Sequence, residues 1–478
     1  MLCSSLLPSL SLCLLSIMLF WLSLLSISKW VYIANMAKAS YRLSALNVLY
    51  LALLCFLLAA TSYKLESTYA LLALALSLFW LLALYSSAVY LLLSEHMLLL
   101  FAFVLSLLLL PSIVLLPLGY LALELQAFAL YAYICALRSS EFALEAALKY
   151  YVLGSCSSVL YVAALLLLAF ALGSSALFDM LLLSLLALLP SCSLIDALLA
   201  SVLAMLCALL FKLSVGPFLG WLPEVLEASS VPIVVLIAAI SKLSLLAFIQ
   251  LIWISCSSLC ASVDVAISAF ALASIVLGTL AALLQQAWRR LLALSSSVHA
   301  GFMLLALKGS ATFAYCAFAL YSIAYNALAL ALALLFSALQ PIKRLWLSAS
   351  VRISSRYLWQ YSALAVLNPA YVLAQVLLFC SLIGLPPSLG FHIKLLVLLA
   401  ILAQGYALLA YIAALLKVLS ATYYIRVLAQ WLLSSLGSSL ICSYTVPSRA
   451  AALIIALIAL LSFVLHYRLA LASVALLY

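Results

Sequence analysis

The sequence predicts an all-α polytopic membrane protein of about fourteen transmembrane helices. Hydrophobic residues make up 71% of the 478 positions and charged residues only 6%, with a mean hydropathy of +1.43, which leaves too little polar surface to cover a soluble globule. The apolar runs reach about 18 residues, the length of a membrane helix, whereas a membrane strand needs about 10 with strict alternation. Helices also satisfy their own backbone groups in lipid.

Runs separated by charged or Pro-, Ser- and Gly-containing joints begin near residues 5, 44, 69, 97, 113, 146, 194, 231, 263, 290, 311, 363, 399 and 450. The first, roughly Ser5 to Ile27, is too long and too evenly apolar for a signal peptide and reads as the first membrane helix. Only Pro111 and Ser112 separate helices 4 and 5, and residues 176–190 suggest a short lateral helix. Joints after odd-numbered helices hold Lys29, Lys38, Arg42, Arg138, Arg289, Arg290, Lys343, Arg344, Arg352, Arg356 and Arg449; the opposite joints hold little beyond Lys64 and Lys308. This asymmetry places the basic joints on the cytoplasmic or matrix side and both termini on the other, so the span count is even. The net charge of +10 is thus a topology signal rather than a nucleic-acid footprint.

Two runs read as interrupted helices. Gly216 and Pro217 follow Lys212 in helix 7, and Gly384, Pro386, Pro387 and Gly390 precede Lys394 in helix 12. Proline removes a ladder bond and clashes with the preceding turn, and glycine weakens the helix further. Backbone groups freed at membrane depth are tolerated only where they face protein or a watery cavity. Two such breaks, each beside a lysine, suggest an internal repeat of the transporter kind.

Glu124, Lys212, Lys242 and Lys394 lie deep in apolar runs. A charge at mid-membrane is costly, so it faces a bundle interior or water and marks an ion or proton path. Lone Glu124 needs a cation, and Lys212 and Lys242 are the candidates; an ion pair that only fixes packing is the plain alternative. A lysine suits proton transfer because desolvation and a movable carboxylate act on it in opposite directions. Lys149 and Glu145 form an i,i+4 pair at the start of helix 6, either a surface pair or a group one turn inside. His299 follows three serines and is either a hydrogen-bonded core histidine or a relay. His392 points away from Lys394, and Glu224 and Glu227 are expected in a solvated joint. The twelve cysteines are scattered, the closest pair being Cys256 and Cys260, so zinc and iron-sulfur patterns are missing from the sequence, as is a phosphate loop. No cofactor is expected in this chain, and its cysteines read as small core hydrophobes.

Several motifs converge on one family. They are Leu123-Glu124-Leu125-Gln126, Glu145-Ala-Ala-Leu-Lys149-Tyr150, Phe211-Lys212 with Pro217-Phe218 and Trp221-Leu-Pro-Glu224, Ser241-Lys242, Arg290 through His299-Ala-Gly301, Ser381 through Lys394, and Tyr423-Tyr-Ile-Arg426. In this order they resemble NADH dehydrogenase subunit 2, the antiporter-like membrane subunit of respiratory complex I, from about residue 95 to 430. The resemblance implies fourteen helices with two inverted five-helix repeats: residues 1–94 as helices 1–3, 95–262 and 263–430 as the repeats, and 431–478 as helix 14. It implies proton translocation, with Glu124 paired to Lys212, Lys242 linking two half-channels and Lys394 facing the exit. Implied partners are other membrane-arm subunits, especially the subunit 4 and subunit 4L types, and membrane lipids. FMN, iron-sulfur clusters and ubiquinone would belong to the rest of the complex. An Mrp-type sodium/proton antiporter subunit and a purely structural subunit are the rivals. Two departures stand out: Leu219 replaces the family's histidine after the helix 7 break, and Leu116-Pro-Leu-Gly-Tyr120 replaces polar residues before Glu124. The Leu/Ser/Ala-heavy, glycine-poor composition favours the mitochondrial inner membrane over a bacterial plasma membrane or a thylakoid.

Overall fold

The computed structural model describes residues 115–135, 141–172, 192–229, 231–256, 261–307, 369–386 and 388–433, with isolated positions from 99 to 445. All belong to the unit Glu95–Tyr478. The runs expected near residues 5, 44, 69 and 450, the lateral helix at 176–190 and Pro387 lie outside the described residues, as do the basic joints other than Arg289 and Arg290.

The described chain is helical: α1 (Leu116–Cys135), α2 (Glu141–Leu172), α3 (Cys192–Lys212), α4 (Trp221–Ala228), α5 (Val231–Val235), a π turn (Leu236–Ile240), α6 (Ser241–Cys256), α7 (Ala261–Leu283), α8 (Trp288–Leu307), α9 (Pro369–Ile383), α10 (Leu389–Ala403) and α11 (Ala407–Leu433). A two-residue antiparallel pairing, Gln340 with Thr445 and Pro341 with Tyr444, accompanies them. Among the described residues six helical segments are long and apolar enough to cross a membrane, including the continuous Ile233–Trp253.

Helix α8 is the axis, packed along α7 and also against α4 and α10. Its inward residues include Ser295, Ser296, Ser297 and His299, all buried, which explains how a helix that polar sits at membrane depth: it faces protein all round. Each serine hydroxyl donates to the carbonyl three residues back, at 2.9, 2.7 and 2.6 Å. The outer helices show the reverse. Phe170 and Leu166 on α2, and Leu408 and Tyr411 on α11, are exposed apolar side chains, as a lipid-facing surface requires.

Helix α3 ends at Lys212 and helix resumes at Trp221. Between them Ser214 has φ 55 and the Gly216-Pro217 bond is cis. The carbonyl of Phe211 accepts both the Ser214 N–H at 2.9 Å and the indole of Trp221 at 3.3 Å. The second break separates α9 from α10, with Gly384 at φ 83. A Cβ on Gly390 would lie 1.7 Å from the Ser381 carbonyl oxygen, so the two half-helices approach as closely as they do only because residue 390 has no side chain.

Two helix starts differ from the sequence expectation. Helix α2 begins at Glu141 rather than near 146; Glu141 and Glu145 occupy its first turns, where the positive end of the helix dipole favours them. The run expected from 399 is divided: α10 continues to Ala403, and α11 begins at Ala407 after a turn at Gly405, φ 83. A left-handed glycine there is an ordinary helix stop.

Candidate functional site

Glu124 projects from the middle of α1 toward the end of α3, where its Oε1 accepts a hydrogen bond from Lys212 Nζ at 2.8 Å. The two side chains are 17% and 12% exposed, so the charges are largely withdrawn from solvent and compensate each other. Lys212, not Lys242, is therefore the partner of Glu124. As the last residue of α3, it also lies at the negative end of the helix dipole, which favours a cation. Gln126, two residues along α1, turns to the other side and donates to Ser244 on α6 at 3.2 Å.

Lys212 and Lys242 line one small cavity of about 30 Å³, together with Gln126, Ser241, Tyr131 and Tyr150. Lys242 is 3% exposed. Its ammonium donates to Ser296 Oγ at 2.9 Å, across to α8. Because Ser296 sends its own proton to the Ala293 carbonyl, its oxygen lone pairs remain free to accept from the lysine.

One turn further along α8, His299 stacks on Tyr325 at a centroid distance of 4.7 Å. Its Nδ1 is 2.8 Å from the Tyr321 hydroxyl and its Nε2 3.4 Å from that of Tyr424. Tyr325 is also within hydrogen-bonding reach of Ser296. Polar groups therefore run from Lys242 through Ser296 and Tyr325 to His299, whose surroundings include both Lys242 and Lys394.

Lys394, 4% exposed, solves its burial without a carboxylate. Its Nζ donates to the main-chain carbonyls of Leu382 and Ile383 at 2.5 and 3.2 Å. These oxygens have no helical partner because α9 ends at Ile383. The break thus supplies the acceptors that the lysine needs. His392 turns back to the Ser388 carbonyl at 3.3 Å.

Lys149 stands apart from this row. It pairs with Glu145 at 2.8 Å and with Glu224 at 2.9 Å, all three side chains being roughly half exposed. The solvated joint expected for Glu224 and Glu227 is instead the short helix α4. Glu224 clamps Lys149 there, and Glu227, only 11% exposed, pairs with Arg290. Arg289 donates to the carbonyls of Glu227 and Ser229 at 2.9 and 2.8 Å, capping the end of α4. These arginines, read from sequence as topology signals, hold the half-helix that follows the first break.

Sequence reasoning gave no site role to Ser296, Tyr321 and Tyr424, which carry no charge to flag them. It also passed over Lys417 on α11, although that lysine meets the same criterion as the other four: a charge within an apolar run. At the position of the missing histidine, Leu219 is buried and apolar.

The family described as NADH:quinone oxidoreductase/Mrp antiporter, TM matches residues 112–420. NADH-quinone oxidoreductase subunit N of Halorhodospira halophila is 30% identical over 310 residues, 65% of this chain and 61% of that protein. NADH-ubiquinone oxidoreductase chain 2 of Rhizopus oryzae is 33% identical over 320 residues, 65% and 58% of the two chains. The match thus spans about three fifths of the length of these relatives. Among solved structures, a chain of respiratory complex I from Thermus thermophilus superposes with a TM-score of 0.70 at 26% identity, covering 89% of this chain and 92% of its own. A chain of the Mrp complex from Dietzia shares the fold with a TM-score of 0.70 at 18% identity, covering 95% and 93%.

Proposed function

Because the chain belongs to the NADH:quinone oxidoreductase/Mrp antiporter transmembrane family, we propose that it is a proton-translocating membrane subunit of an NADH:quinone oxidoreductase. The observation that carries this reading is the cavity shared by the ion-paired Lys212 and the buried Lys242. A change driven from elsewhere in the complex moves Glu124 away from Lys212. The ammonium left behind is an uncompensated buried charge, which is costly. Passing its proton across the cavity to Lys242 removes that charge. Ser296, Tyr325 and His299 then line the way toward Lys394.

Redox chemistry is absent from this scheme; FMN, iron-sulfur clusters and ubiquinone would reside in other subunits. Partners would be other membrane-arm subunits, of the subunit 4 and subunit 4L types among them, and the surrounding lipid. Two five-helix repeats, 95–262 and 263–430, would each hold one broken helix. Resemblance to both a fungal chain 2 and bacterial subunits N fits an energy-coupling membrane, and we favour the mitochondrial inner membrane.

The test replaces Lys212 or Lys394 by Met in an assembled complex and measures NADH-driven proton uptake. Pumping at the wild-type level in either variant rejects the role. The fold shared with the Mrp chain supports a sodium/proton antiporter subunit as the second reading. Co-purification separates the two, since the oxidoreductase brings flavin and iron-sulfur proteins and the antiporter does not.

A further inference from the structure

Lys394 is not alone at the second helix break. A Cβ built on Gly384 would lie 3.3 Å from Lys394 Cδ and 3.4 Å from Lys417 Cε. Two lysine side chains, from α10 and from α11, therefore converge over one glycine. A side chain at Gly384 would press on both, and its left-handed φ of 83 is one that glycine adopts without strain.

Lys417 is not a helix-end lysine reaching for the membrane surface. Helix α11 runs Ala407–Leu433, so at about 1.5 Å per residue Lys417 lies about 15 Å along it. It shares the helix face of Ala413, Ser420 and Tyr424, all of which are buried against the bundle. Yet Lys417 itself keeps partial exposure, whereas Lys394 is 4% exposed. The two lysines thus differ in access: one is enclosed by backbone carbonyls, and the other is beside it and partly open.

Among the described residues no carboxylate forms an ion pair with either lysine. The Lys417 ammonium instead stands 5.1 Å from the centroid of the Phe391 ring, a cation–π contact that holds the side chain beside α10. Two adjacent ammonium groups in a low dielectric repel strongly. An arrangement in which one of them is a neutral amine removes that repulsion and leaves a lone pair beside a donor.

We propose that Lys417 is a proton-transfer residue that takes the proton released by Lys394 and delivers it to water. In the first step an N–H bond of the Lys394 ammonium breaks and one forms on the Lys417 amine, leaving Lys394 neutral. In the second the Lys417 ammonium gives the proton to a water molecule at its open side. Gly384 is the floor of the contact and Phe391 positions the acceptor. The assignment rests on the proton-translocating function proposed above.

The experiment compares Lys417→Arg, Lys417→Met and Lys394→Met in the assembled complex, reading NADH-driven proton uptake together with the amount of complex on a native gel. Arginine keeps the charge and can still stack on Phe391, but it does not release a proton. Lys417→Arg and Lys417→Met should therefore both slow proton uptake several-fold at normal complex levels. Wild-type uptake in Lys417→Arg overturns the proposal, because it assigns the lysine a packing or charge role that arginine fills. If Lys417→Met does not assemble, Lys417→Arg alone decides. Loss of uptake in Lys394→Met with wild-type uptake in Lys417→Arg rejects Lys417 alone. Wild-type uptake in Lys394→Met rejects the underlying proton path.

Discussion

Glu124 and Lys212 are 88 residues apart in the chain and 2.8 Å apart at their charged atoms. Lys212 is also the residue at which α3 stops, so any change in the following break, Leu213 to Gly220, alters the position of the cation against its carboxylate. The ion pair and the interruption of the helix form one mechanical unit.

Neutralising one member of that pair should destabilise the protein more than neutralising both. Glu124→Gln alone or Lys212→Met alone leaves a largely buried charge without compensation, a loss of about 3–5 kcal/mol for such pairs. The double variant should recover much of the thermal stability and none of the pumping. Recovery of pumping along with stability would show that the pair serves only packing.

Ser296→Ala removes the oxygen that receives the Lys242 ammonium. A hydrogen bond to a charged group contributes about 1.5–3 kcal/mol, and the substitution fits the space. Proton uptake should fall several-fold while the complex assembles normally. An unchanged uptake rate would mean that Lys242 does not work through α8.

Tyr321→Phe leaves His299 Nδ1 facing a ring edge in place of a hydroxyl at 2.8 Å. A buried nitrogen without its partner costs about 1–3 kcal/mol. The thermal midpoint and proton uptake should both drop, whereas Tyr411→Phe, on the exposed face of α11, should change neither. Normal uptake in assembled Tyr321→Phe would take His299 out of the path.

Gly390→Ala places a methyl group where the Ser381 carbonyl oxygen already sits. The α9–α10 contact must open, and complex levels on a native gel should fall sharply. Gly220→Ala is the control: nothing lies within 4 Å of its added Cβ and its φ of −62 suits alanine, so stability should change by about 0.5 kcal/mol or less. Equal tolerance of both substitutions would contradict the tight approach of the half-helices.

Much of the site's position was legible because the membrane makes charge expensive. Glu124, Lys212, Lys242 and Lys394 stand out in apolar runs for that reason alone, and Gly and Pro mark where helices stop. Lys417 obeys the same logic and was missed because of a boundary. A helix begun near 399 puts residue 417 near its far end, where a lysine means little; the turn at Gly405 moves the start to Ala407 and the lysine to mid-span. Polar residues mislead in the other direction. Glu141 lies outside the run expected from 146 but opens α2, and Glu227 looks solvated but is held by Arg290 on α8. Partnerships across helices, such as Ser296 with Lys242, have no trace in one chain's hydropathy, since a serine is inexpensive to place in any helix.

The oxygens that hold the Lys394 ammonium belong to the main chain of Leu382 and Ile383. No substitution at either residue deletes them, because every amino acid carries the same carbonyl. Drift among the apolar residues around this lysine can therefore run far without erasing its cradle. What a mutation can reach is the bend itself. Inheritance at this second break is guarded by the course of the backbone, and two proteins with few side chains in common here could hold a buried ammonium in the same way.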